Sequence, residues 1–328
     1  MKKYYCGVDI GGTKVAISLV TPTGKSLISV TIPISSKNST KQSVAQIIEM
    51  IRQCMSSLKI QKLGNKYGLM GVGVGTPGPV DSKSGKVPWS PNLPDWEGFN
   101  ICSMIKRHLG VPVFITNDAN AAALCEKHFG AGKKVKDLIY ITASTGVGGG
   151  FILNGSVFSG HNFNAAEIGH MTIVPNGERC KCGNKGCLEA YASGTAIARE
   201  ATKYARAHPK SVLARLGKQD GKISGKTVKA AFIRGDKPAK KILENAGYYL
   251  GVGVGSLINI LNPEVIVFGG GVFQTPVKAA NCVWKSMVSS AKEHSWTLPY
   301  KGCKLVQTKF PYEVGSLGAA ALAIENLK

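Results

Sequence analysis

The sequence predicts an α/β protein of two domains. Its 328 residues are enough for two cores of ordinary size. Apolar runs of strand length alternate with segments of helical period, the pattern of helices layered on sheets. A strand, a glycine turn and a returning strand also occur twice, in residues 4–20 and again in 138–155.

Taken in order, YYCGVDI (4–10) reads as a strand, GGTK as a turn and VAISLV (15–20) as the strand that returns. After the TPTG turn, LISVTIPI completes a three-stranded meander. Val44, Ile47, Ile48, Ile51 and Met55 recur at helical spacing and predict a helix over 41–58. MGVGVGTPGPVD then reads as a buried strand ending in a Pro-Gly turn. A helix near 100–109, a strand at VPVFI (111–115) and an Ala-rich helix follow. LIYITAS (138–144) is a strand that enters the glycine loop STGVGGG, and FILNG (151–155) returns from it. Helices dominate from Ser193 to about Asn262. VIVF (265–268) is a strand that ends at three glycines, KLVQT is the last strand, and an Ala-rich helix closes the chain.

Composition excludes several classes. No run approaches 18 apolar residues, so no membrane span is expected, and Asp9 with its glycines interrupts any signal-peptide core. The expected location is cytoplasmic. Nine Cys is an odd number, and six of them (Cys6, Cys54, Cys102, Cys125, Cys282, Cys303) are scattered, as buried reduced thiols are. The net charge of +22 raises the question of nucleic acid. Arg199–Lys241 holds 13 Lys and Arg against 3 acids, but spaced through Ala-rich helical sequence, which reads as a solvated face. Attraction for anionic substrates is the second reading. No specific nucleic-acid partner is expected.

Five motifs carry chemistry. Asp9-Ile-Gly-Gly-Thr-Lys14 places two glycines between strands, where bare backbone N–H groups can hold phosphate oxygens; Thr13 adds a hydroxyl, Lys14 a charge, and Asp9 an oxygen donor for Mg²⁺ through water. Such a hairpin is usually only a hairpin. Ser144–Gly150 and Gly269-Gly270-Gly271 are two more glycine turns, each after an apolar strand, and three together outweigh any one. Gly225-Lys226-Thr227 resembles the end of a P-loop, but Asp220 stands where the first glycine is required, so it reads as a surface loop. Asn117-Asp118 sits between a strand and an Ala-rich helix, as a helix cap or as a general base. Finally, His170, Cys180, Cys182 and Cys187 lie within 18 residues, the donor set of a four-coordinate structural zinc site. Such a staple would fix Glu167 and Glu189, which flank it, although an exposed glutamate alone is ordinarily just soluble.

DIGGTK (9–14), GVGVGTPGPVD (71–81), SPNLPDWEG (90–98), NDANAAAL (117–124), STGVGGGFILNG (144–155), EIGH (167–170), CKCGNKGCLEAYASG (180–194) and NPEVIVFGGGV (262–272) occur in the order found in the ROK family of sugar kinases and sugar-responsive repressors, which the chain resembles over nearly its whole length. The resemblance implies an actin-like (ribonuclease H-like) fold with a cleft between two α/β domains. These are expected at 1–117, completed by a C-terminal helix at about 313–328, and at 118–312. It implies ATP-dependent phosphorylation of a hexose at the 6-hydroxyl, glucose first, with N-acetylmannosamine, allose or fructose as alternatives. ATP phosphates would meet Gly11, Gly12, Thr13, Thr145 and Gly146, and adenosine Gly269–Gly271. Asn92, Asn117, Asp118, Glu167, His170 and Glu189 would hold the sugar, Asp118 as base, and zinc would sit at His170, Cys180, Cys182 and Cys187. A homodimer or higher homo-oligomer is implied too. Family repressors carry an N-terminal helix-turn-helix, for which a phosphate motif starting at Asp9 leaves no room. A catalytically silent sugar-binding protein is the remaining alternative, and Asp118 speaks against it. Ser144 and Ala166 stand where the family has glycine, so a positive φ at either would cost roughly 1–2 kcal/mol.

Overall fold

A computed structural model describes residues 2–35, 38–60, 67–88, 96–274 and 276–328. The first elements are β1 (Lys2–Ile10), β2 (Lys14–Val20), β3 (Ser26–Pro33), α1 (Thr40–Ile60), β4 (Tyr67–Thr76), α2 (Ile101–Leu109), β5 (Val113–Asn117) and α3 (Asp118–Phe129). Next come β6 (Leu138–Ala143), β7 (Val147–Leu153), β8 (Ser156–Val157), α4 (Glu189–Ala192), α5 (Gly194–Ala207), α6 (Val212–Gln219), α7 (Gly225–Ile233) and α8 (Lys237–Leu261). The chain ends with β9 (Val265–Gly269), α9 (Val277–His294), α10 (Thr297–Gly302), β10 (Lys304–Gln307) and α11 (Val314–Asn326). The strands form two five-stranded sheets, in the orders β3-β2-β1-β4-β5 and β10-β9-β6-β7-β8. No described helix is long and apolar enough to cross a membrane.

Two compact units result: Met1–Lys136 with Gly150–Ala165 and Tyr312–Lys328, and Asp137–Gly149 with Ala166–Pro311. This division differs from a boundary at 117. Helix α3 belongs to the first unit because it packs on α11 without intervening side chains: a Cβ at Gly318 would lie 1.7 Å from the carbonyl oxygen of Ala121.

In the first unit, strand alternation sorts the residues by face. Cys6, Val8 and Ile10 of β1, Val15, Ile17 and Leu19 of β2, and Val72 and Val74 of β4 join one apolar core with Val44, Ile47, Ile48 and Ile51 of α1 and Ile101 and Ile105 of α2. The opposite face of β1 and β4 carries Gly7 and Gly73, and α11 lies directly on them. A Cβ at Gly7 would come within 1.8 Å of Ser316 O, and one at Gly73 within 1.7 Å of Ala319 O. The alternating GVGVG run is therefore a strand with two different faces, one for side chains and one for a helix backbone. Ser18, also on the α11 side, meets the hydroxyl of Ser316 at 2.8 Å.

In the second unit β6, β9 and β10 run parallel, with Leu138 opposite Val265 and Val265 opposite Lys304. Helix α9 was not legible in the sequence. Its buried residues are Ala279, Ala280, Val283, Met287 and Ala291, too many of them small for a strong periodic signal. It lies against a glycine stripe on α8: Cβ atoms at Gly247 and Gly251 would meet Val283 O and Met287 O at 2.4 and 2.5 Å. Two other expectations need correction. The stretch after Gly146 is strand β7, not loop, because Gly149 and Gly150 lack the side chains that would strike Ala166 O and Ala119 O. Gly225-Lys226-Thr227 is the first turn of α7, not a surface loop. Ser224 caps it, and the Thr227 hydroxyl is used on Ser224 N and Asp220 Oδ2.

Candidate functional site

In the first unit, strand register gathers one set of predicted residues. Asp9 pairs with Gly75, Gly75 with Thr116, and Thr76 with Asn117, so β1, β4 and β5 end side by side. The carboxyl ends of parallel strands are where open α/β sheets bind ligands. A Cβ at Gly75 would lie 3.9 Å from both the Asp118 Cα and Asp9 Oδ1. Asp118 is the first residue of α3, and Asn117 caps the helix by accepting from Ala119 N at 2.9 Å. The Asn117 amide also donates to Gly78 O at 3.0 Å, which among the described residues leaves one N–H and a lone pair over. Burial pushes the Asp9 carboxyl up to about 6, against a downward pull from the Lys14 ammonium. Gly11–Lys14 forms the β1–β2 turn, closed by Gly11 N donating to Lys14 O, with Gly12, Thr13 and Lys14 exposed.

In the second unit, the four metal-type donors converge. The ligand atoms of His170, Cys180, Cys182 and Cys187 all lie within 4.8 Å of one another. Cys182 Sγ and Cys187 Sγ are 3.7 Å apart, and Cys180 Sγ is 3.8 Å from His170 Nδ1. A tetrahedral ion with bonds of about 2.3 Å to sulfur has edges of about 3.8 Å, so the set fits zinc. The loop turns tightly enough because Gly183 and Gly186 take φ of 99° and 77°. With four protein donors no coordination position remains for a substrate, so the site fits a structural metal.

Two carboxylates flank the cluster. Glu167 precedes the 3-10 turn Ile168–His170, and Glu189 opens α4. Burial raises the Glu167 carboxyl; His170 opposes this and Glu189 adds to it, so the three groups share one electrostatic neighbourhood. Ala166, beside them, has φ of 67°, a left-handed conformation unfavourable to any side chain. Ser144 is not among the positive-φ residues, so only one of the two departures from glycine is strained. Ala166→Gly is therefore expected to raise the unfolding free energy by about 1 kcal/mol, read from chemical denaturation.

Glu189 also reaches the second glycine turn. Its Oε2 accepts from Val147 N at 3.0 Å, and occupies the space a Gly146 Cβ would need, 2.3 Å away. Gly194 N donates to Ser144 O at 2.6 Å, and the Thr195 hydroxyl to Thr145 O at 2.7 Å. The segment that follows the metal loop is thus bonded to three successive parts of the Ser144–Val147 turn. The third turn lies alongside: a Cβ at Gly271 would have only Ser144 Oγ near it, at 3.8 Å. Gly270 has φ of 90°, and its Cβ would strike Ala143 O, so this position demands glycine. A Cβ at Gly269 would strike the Tyr140 hydroxyl.

The family model described as "ROK family" matches residues 5–326. The chain belongs to the ROK family. Among its relatives is a glucokinase of Halalkalibacterium halodurans, 36% identical over 82% of this chain and 81% of the relative. A xylose repressor of Bacillus spizizenii is 31% identical over 98% of this chain and 77% of its own length. A solved ROK family glucokinase from Streptomyces griseus, in complex with glucose and AMPPNP, superposes with a TM-score of 0.78 at 32% identity, covering 98% of this chain and 99% of that one. The two five-stranded α/β sheets are those of the actin-like fold of ROK sugar kinases.

The ROK residues read from the sequence thus form two groups. Asp9, Gly11–Lys14, Asn117 and Asp118 are in the first unit; Thr145, Gly146, Glu167, His170, Glu189, Gly269–Gly271 and the cysteines are in the second. Asn92 lies outside the described residues. Sequence reasoning missed Gly194, Thr195 and Lys229, whose partners are far along the chain. The basic segment behaves as a solvated face in part: Arg199 and Lys203 pair with Glu178 and Glu200, and Lys240 with Glu244.

Proposed function

We propose that this ROK family protein transfers the terminal phosphoryl group of ATP to the 6-hydroxyl of a hexose, glucose first. The observation that carries the reading is Asp118. Its carboxylate opens α3 at the carboxyl edge of three parallel strands, beside Asp9, and Asn117 holds that helix end. Similarity to glucokinases over most of the chain supports it.

Phosphoryl transfer asks a protein mainly for alignment and charge neutralisation. Asp118 accepts the proton of the attacking 6-hydroxyl. Glu167, His170 and Glu189 hold the other hydroxyls, and the Asn117 amide can add a contact. His170 turns Nδ1 toward Cys180, which leaves Nε2 for the sugar. The turns at Gly11–Thr13 and Thr145-Gly146 offer backbone N–H groups to phosphate oxygens, and at Gly271, where even a Cβ would meet only Ser144 Oγ, a base can approach the backbone. The Mg²⁺ that accompanies ATP neutralises phosphate charge when bound, and Asp9, a half-buried carboxylate, would hold it through water. Zinc at His170, Cys180, Cys182 and Cys187 would keep Glu167 and Glu189 in register. A homodimer, a cytoplasmic location and the absence of a nucleic-acid partner complete the proposal.

The test is ADP release from MgATP across glucose, N-acetylmannosamine, allose, fructose and xylose. Turnover with one hexose well above the rest is expected. Turnover on none, with sugar still stabilising the protein, would overturn the kinase reading and favour a sensor like the xylose repressor it resembles.

A further inference from the structure

Lys229 has no part in the reading above, yet its placement is unusual for a lysine. It sits on α7 between Val228 and Ala231, both fully buried, and is itself only 6% exposed. Burying an ammonium is costly unless its donors find acceptors. Burial pushes the group down to about 8, and no carboxylate opposes that shift. The acceptors are two carbonyls: Nζ donates to Gly271 O at 2.6 Å and to Gln274 O at 2.9 Å.

These carbonyls bracket the 3-10 turn Gly271–Phe273, the continuation of the third glycine turn. The turn's own backbone bonds are Phe273 N donating to Gly270 O at 3.1 Å and a long Gln274 N to Gly271 O bond of 3.3 Å. Its far end is anchored by Gln274 Nε2 donating to Pro311 O at 2.7 Å and by Phe273 packing on Phe268 and Trp284, so Lys229 is what ties its Gly271 end. One side of the turn is closed, since Gly270 is pressed against Ala143 O. The other side, at Gly271, is open next to Ser144. A charged donor that grips the first and last carbonyls of so short a turn sets its orientation, and charge-assisted bonds are about twice as strong as neutral ones.

We infer that Lys229 is a positioning residue for nucleotide: it clamps the Gly270–Gln274 turn so that the backbone at Gly271 presents a fixed surface to the base of ATP. This rests on the reading of Gly269–Gly271 as the adenosine turn. Lys229 does not touch the reacting atoms, so its removal weakens nucleotide and leaves hexose recognition alone.

The experiment measures ADP affinity and hexose affinity by calorimetry, with KM for ATP and for hexose alongside, on the full chain. Lys229→Met is expected to weaken ADP and raise KM for ATP about tenfold or more, the scale of losing two hydrogen bonds to a charged group, with hexose affinity changed less than about twofold. Lys229→Gln, which keeps a neutral N–H donor, is made in parallel in case the Met variant does not fold; a smaller ADP loss is expected, and none at all overturns the inference. Gly271→Leu tests the underlying reading separately, because a Cβ there meets only Ser144 Oγ, at 3.8 Å, and the side chain would cover the face offered to the base. If Gly271→Leu weakens ADP and Lys229→Met does not, the clamp is wrong and the adenosine turn stands. If Gly271→Leu leaves ADP binding unchanged, the adenosine turn itself falls, and the clamp with it. Equal losses of ADP and hexose in Lys229→Met would mark a general packing role and overturn the inference.

Discussion

Replacing Asp118 with Asn is expected to lower hexose-dependent turnover by about 10²–10⁴, the usual worth of a positioned general base, and to leave hexose affinity within a few-fold. The change is nearly isosteric. Asn keeps an acceptor for Ala119 N, which Asp118 Oδ1 engages at 2.8 Å, and the cap from Asn117 is unaffected. The lost negative charge at the start of α3 costs about 0.3–1 kcal/mol of helix-dipole stabilisation, far too little to unfold the unit. What disappears is the lone pair that takes the hydroxyl proton. Turnover measured by ADP release and sugar binding measured by calorimetry separate the two roles. Unchanged turnover would remove Asp118 as the base.

Cys182→Ser should have the next largest effect. Cys182 is the exposed member of the cluster, whereas Cys180 and Cys187 are buried. Loss of its thiol therefore removes little packing, and a large change in stability reports the metal. With zinc present at about 1,000 times its dissociation constant, binding contributes about 4 kcal/mol to the folded state, and that is the expected loss. Hexose affinity falls as well, because Glu189 follows Cys187 by two residues and Glu167 precedes His170 by three. The Val147 N to Glu189 Oε2 bond carries the disturbance to the Ser144–Val147 turn, so KM for ATP rises in the same variant. Metal analysis and thermal unfolding check the first two effects. Stoichiometric zinc retained by Cys182→Ser, or wild-type protein purified with no zinc at all, would sink the staple.

Much of this molecule is written locally. Strand and helix periods are properties of a few consecutive residues, so the meander at the N-terminus, the helix over 41–58 and the strand VIVF could be read directly. The metal cluster was legible for a similar reason: four soft ligands within one short loop need little long-range folding to meet. The role proposed for Asp118 rests on the order of the motifs around it, since its own spacing fits a helix cap equally well. Other features depend on which distant backbones meet. The GVGVG strand reads as apolar, but only the docking of α11 shows that Gly7 and Gly73 are there to admit its carbonyls. Glu189 reads as one more sugar carboxylate, but its bond to Val147 N joins residues 42 apart. Lys229 has the same separation from Gly271, and nothing in VKAAF distinguishes it from a solvated lysine. Ser144 and Ala166 looked equivalent as departures from glycine; backbone torsion alone made Ala166 the strained one. Local sequence thus determined most of the elements, the cluster of metal-type donors and the carboxylate proposed to react. Close backbone approach, which depends on every element packed around a position, decided how those groups are held.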